Sequence, residues 1–140
     1  MKINLTLVIA LLFSISAFSQ INPSDKVFFE FEETGGEVNV NGEDALETLN
    51  SYIVGKTNLQ VVNSKDGAKY MLTLSVIEKN MGKRKGRIVI TEIKNGQLIF
   101  DTQWQKANSS AFYGYSGTRA VIGKMIKQFI LKQYPEIVLK

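Results

Sequence analysis

Three groupings of side chains in this 140-residue chain have the types and spacing for chemistry. The first is Gly114-Tyr115-Ser116-Gly117-Thr118, one position away from G-x-S-x-G. In that motif flanking glycines let a strained strand-to-helix turn expose a serine hydroxyl to a neighbouring base. The second is Lys83, Arg84, Lys85 and Arg87, four cations within five residues, a charge density suited to an anionic partner. The third is Glu30 and Glu32, two carboxylates on one face of a strand, at a separation within the roughly 5 to 10 Å that glycosidases use.

Each has a plainer reading. The chain contains no histidine, so the usual base of a serine triad is absent. A Ser–Lys dyad would have to use Lys124, about 12 Å along the axis if a helix starts at Gly117, and a lysine reaches that poorly. Ser116 is therefore read as a helix N-cap, a role worth about 1 kcal/mol. A free helix start beside Arg119 also suits an anion, but the segment is no phosphate-binding loop, because Gly123-Lys124 is followed by Met125. Any two alternate residues on a strand meet the carboxylate distance, so Glu30 and Glu32 read as a solvent-facing pair. With no His or Cys, and with Glu33 and Glu37 lacking calcium-loop spacing, no metal or other cofactor is expected.

Two binding readings survive. The basic residues Lys83, Arg84, Lys85 and Arg87 are placed in a loop over 80–86 and at the start of the next strand. There they either hold a phosphate, lipid headgroup or acidic glycan, or are solvated lysines that discourage edge pairing. No aromatic ring is interleaved among them, which argues against nucleic acid. The segment SSAFYGY over 109–115 brings Phe112, Tyr113 and Tyr115 together. Rings with polar tips suit a glycan or a protein partner, unless they cover the open end of the core.

The elements that must position these groups follow from periodicity. Val27 to Glu32 alternates, with Val27, Phe29 and Phe31 on one face and Phe28, Glu30 and Glu32 on the other. Asn41 caps a helix whose stripe is Ala45, Leu46, Leu49 and Ile53, with Gly55 as its stop. Leu59–Val62 and Tyr70–Lys79 are strands. Arg87–Lys94 and Gln97–Lys106 form a hairpin about Asn95-Gly96, a type I′ signal. A closing helix over 117–134 carries Val121, Ile122, Met125, Ile126, Phe129 and Ile130 inward, and Pro135 ends it. The order β-α-β-β-β-β-α specifies an α+β fold, a two-layer sandwich of a mostly antiparallel sheet with two helices on one face.

Composition and targeting complete the reading. Lys2, the apolar run Leu5–Ile15 and small residues at Ala17 and Ser19 have the layout of a secretory signal peptide over 1–19. The run is too short to span a bilayer, which needs about 20 residues. The absence of Cys excludes a lipid-modified cleavage site and any disulfide. Residues 20–25 are expected as a flexible arm and 26–140 as a single domain. Residues 25–50 hold eight acids and one base, whereas 51–140 hold fifteen bases and five acids. The two halves are expected to neutralise each other in part, the alternative being a basic surface for an anionic partner.

In this order the chain resembles small bacterial envelope domains, the N-terminal domain of TolB and the related domain of CsgG-type secretion proteins. The likeness runs over about 27–136 and rests on LQVVNSKDGA after a helix, KYMLTLSVIE leading to a hairpin with KNGQLIFDTQW, and a closing helix ending in YPE. It carries no catalytic or binding residue across. It implies an exported, non-enzymatic domain in the periplasm, on the cell surface or secreted, binding or scaffolding an envelope protein. The alternative is a glycan or small-ligand binding protein using the loop 109–115.

Overall fold

The computed structural model describes residues 20–108 and 117–140; the expected signal segment over 1–19 lies outside them. The strands are β1 (Lys26–Phe31), β2 (Val38–Asn39), β3 (Gln60–Val61), β4 (Tyr70–Glu78), β5 (Lys83–Glu92), β6 (Leu98–Asp101) and β7 (Gln105–Asn108). They form one sheet of order β3-β1-β4-β5-β6; β2 lies beside β4 beyond the end of β1, and β7 beside β5 beyond the end of β6. β1 runs parallel to both β3 and β4, and every other pair is antiparallel. The sheet is thus mixed rather than purely antiparallel, because the crossover through the first helix returns the chain in its original direction. The class is α+β, as the element order implied.

Helix α1 (Gly42–Lys56) starts where the sequence places it: the Asn41 side chain accepts a 3.0 Å bond from the Asp44 N–H, and Glu43 and Asp44 occupy the positive first turn. Ala45, Leu49 and Ile53 are buried at helical spacing. Gly55 does not end it. Thr57 does, its N–H and hydroxyl both donating to the Ile53 carbonyl, at 3.0 and 2.7 Å.

The second helix, α2, runs as Gly117–Lys124, a π-helical stretch Met125–Ile130 and a last turn Leu131–Gln133. A π turn closes i to i+5, as the Leu131 N–H does on the Ile126 carbonyl. The wider turn re-aims the stripe. Val121, Ile122, Met125, Ile126, Ile130 and Tyr134 are buried, while Phe129, expected inside, is only half-buried.

Both helices cover one face of the sheet. Their apolar stripes join Val27, Tyr70, Leu72, Leu74, Val76, Ile88 and Ile90 in one core. Two glycines set the spacing. A Cβ on Gly86 of β5 would lie 2.8 Å from Met125 Cε and 3.1 Å from Val121 Cγ1. A Cβ on Gly117 would lie 2.9 Å from the Gly82 carbonyl oxygen and 2.6 Å from Arg84 Cγ. Gly117 therefore serves close approach of the helix start to the sheet, which only a missing side chain permits.

Three local expectations are corrected. The β5–β6 hairpin forms, but its turn is not type I′: only Gly96 has positive φ (68°), and the loop spans 93–97, with the Gly96 N–H donating to Glu92 O at 2.8 Å and the Gln97 N–H to Asn95 Oδ1 at 2.9 Å. The single strand expected over 97–106 breaks at Thr102–Trp104, where Gln103 has φ 59° and the buried Thr102 hydroxyl accepts the Ile88 N–H at 3.0 Å. The segment expected as a flexible arm is anchored: Ile21 is 1% exposed in the core, the Tyr70 hydroxyl donates to Gln20 O at 3.2 Å, and the Ser24 N–H donates to Asn58 O.

Candidate functional site

The four clustered cations belong to β5, not to a loop. The chain is already extended from Lys83, paired through Lys83↔Asn108, Arg84↔Ala107, Lys85↔Lys106 and Gly86↔Gln105 with β7. A strand sends alternate residues to opposite faces, so the pleat divides the cluster. Gly86, Ile88 and Ile90 are buried under the helices, which puts Arg84 on that side and Lys83, Lys85 and Arg87 on the open face.

Each cation then has its own circumstances. Arg84 lies against Gly117 and pairs with Glu78 at 3.2 Å; its Nε is buried without a hydrogen-bond partner among the described residues. Arg87 makes a two-pronged bond to Asp101, Nε to Oδ1 at 2.9 Å and Nη2 to Oδ2. The Arg87 hydrogen bonds hold the Asp101 carboxyl below its ordinary value, and that carboxylate raises the guanidinium in turn. Asp101 also accepts the Gln103 N–H at 2.8 Å, tying the break in the outer strands to the same pair.

Lys83 and Lys85 are left, and the register adds Lys106 directly opposite Lys85. Among the described residues none of the three makes an ion pair. They line a groove of about 770 Å³ at one end of the sheet, whose wall is completed by Glu37, Val38, Glu78, Lys79, Asn80, Arg84 and Ala107. Lys79 is neutralised by Glu37 at 2.9 Å. Sequence reasoning missed Lys106, because a lone lysine in QWQKAN carries no signal until the β5–β7 register is known.

The remaining candidates separate. Phe112, Tyr113, Tyr115 and Ser116 lie outside the described residues. Lys124, the lysine of the Ser–Lys dyad reading, donates from Nζ to the Lys106 carbonyl at 3.1 Å. Glu30 and Glu32 are exposed, and Glu32 acts on Arg87 through space. Among the described residues no cluster of three His, Cys, Asp or Glu is arranged for a metal ion, and no helix is long and apolar enough to cross a membrane. A second groove, about 460 Å³, runs between α1 and α2 with acids (Asp44, Glu47) and cations (Lys56, Arg119) mixed. In an adjoining groove Gly123 admits the Tyr52 ring, over which Lys127 Nζ stands at 5.5 Å. The expected neutralisation between the chain's halves is present in Glu37–Lys79 and, more loosely, Asp25–Lys69 at 3.9 Å.

No family model matches the chain. No curated protein matches it either. Its fold is shared with solved structures. A PelC dodecamer from Paraburkholderia phytofirmans, carrying a single leucine-to-methionine substitution, is 13% identical, with a TM-score of 0.55 over 76% of this chain and 88% of that one. A second PelC dodecamer structure from the same organism gives 12%, 0.55, 75% and 87%. The C-terminal domain of LpoB from Salmonella enterica gives 13%, 0.50, 71% and 94%. At such identities the likeness establishes the fold, a small α+β domain.

Proposed function

We propose that this chain is an exported, non-enzymatic domain of the bacterial envelope that binds or scaffolds a partner through the open face of its sheet. The observation that carries the reading is the two-sided sheet: both helices cover one face, and the other presents Lys83, Lys85 and Lys106, unneutralised among the described residues and lining a groove at the sheet's end. The shared fold supports it, since this architecture makes up most of a protein that assembles as a dodecamer and nearly all of the LpoB C-terminal domain. The layout of residues 1–19 supports export, and the sequence resemblance to the TolB and CsgG-type domains points to the same compartment.

Export is tested by expressing the whole chain in a bacterial host, fractionating the cells and measuring the intact mass. The expected product sits in the envelope fraction, begins at Gln20 and lacks residues 1–19. A full-length chain retained in the cytoplasm contradicts the reading.

A further inference from the structure

We propose that the strip formed by Lys83, Lys85 and Lys106 is a binding site for a linear acidic polysaccharide. The three ammonium groups share one face, because Lys83 and Lys85 alternate with the buried Gly86 and Ile88, and Lys106 is the register partner of Lys85. Like charges directly opposite one another across two strands destabilise the pair. The cations nearest the strip have internal answers: Lys79 has Glu37, Arg84 has Glu78 and Arg87 has Asp101. Edge protection accounts for Lys106 alone. Lysines blunt exposed edges, but β5 is an interior strand flanked by β4 and β7, so Lys83 and Lys85 guard no edge.

The spacing selects the ligand. Lys83 and Lys85 stand about 6.7 Å apart along the strand, and Lys85 and Lys106 about 5 Å apart across it. Three ammonium groups rooted at that backbone spacing suit an anion repeated along a chain, as in a polymer with charge along its length. The strip lines a groove at the end of the sheet, a shape that receives a chain better than it fits a flat bilayer surface. This proposal rests on the open face being the working surface, and the binding assay below is independent of whether the chain is exported.

The test uses the purified chain with alginate as the polyuronate, dextran as the neutral polymer, and vesicles of phosphatidylglycerol as the lipid surface. Titration is followed at low and near-physiological salt. Alginate is expected to bind and to weaken with salt, as screening requires, while dextran does not bind. The triple variant Lys83→Gln/Lys85→Gln/Lys106→Gln is expected to lose binding by about tenfold or more, and a control removing the same charge elsewhere, Lys65→Gln/Lys94→Gln/Lys132→Gln, to change it by less than about twofold. The corresponding triple Lys→Arg variant, which keeps charge and bulk, is expected to retain binding. Equal losses in the two Gln variants, no alginate binding at low salt, or lysine-dependent binding to vesicles alone would each overturn the proposal.

Discussion

Lys85 and Arg87 are two residues apart on the same face of β5, yet only Arg87 has an acid. Its bond to Asp101 is charge-assisted and two-pronged, and Asp101 also fixes the Gln103 turn, so one carboxylate holds both β5 and the break between β6 and β7. The folded-state pKa of Asp101 is lowered. Its contribution is therefore present above the ordinary aspartate value and is lost as pH falls through the lower folded value. Asp101→Asn should cost about 1 kcal/mol near neutrality, discounted for the partial exposure of Arg87. It should also flatten the acid limb of the stability–pH profile in denaturant melts; an unchanged acid limb would show that the pair contributes nothing. Gly117 is the second decisive residue. Gly117→Ala pushes a methyl against the Gly82 carbonyl and should cost about 1–3 kcal/mol in the same melts.

Among the elements, α1 was legible because its signals are local: the cap at Asn41 and the spacing of Ala45, Leu49 and Ile53 need only neighbouring residues. Asn41→Ala should accordingly lower stability by about 1 kcal/mol, measured by urea unfolding with the slope unchanged. β1 and β4 were legible for a similar reason, apolar residues at every second position, although Phe28, Met71 and Ile77 interrupt the opposite face. What escaped depended on pairing. β2 has two residues, too few for any period. The start of β5 reads as a polar loop because its basic residues lack apolar alternation; hydrogen bonds to β4 and β7 make it a strand. The break at Thr102 arises because β5 is met by β6 and then β7 in different registers, which no single-strand pattern encodes. The π stretch in α2 moved Phe129 off the buried stripe, since a wider turn cannot be read from a 3.6-residue pattern. Of the site, Lys83 and Lys85 were visible as charge density. Their separation from Arg84 and their union with Lys106 required the pleat and the register.

At the scale of the whole molecule, the sheet divides labour: one face holds the core, and the other is free to meet a partner. The N-terminal segment belongs to the folded unit, since Ile21 is buried with the core. Ile21→Ala should cost about 2–5 kcal/mol, a core-type loss that an unattached arm would not show, and thermal unfolding reads it directly. The central claim, that the open face meets a partner in the envelope, is tested most directly by photo-crosslinking in cells. A photoreactive side chain is placed at position 85 on the open face or at position 132 on exposed α2. Envelope-fraction adducts are expected from position 85 and none from position 132; adducts only from position 132, or none in the envelope from either, would contradict the claim.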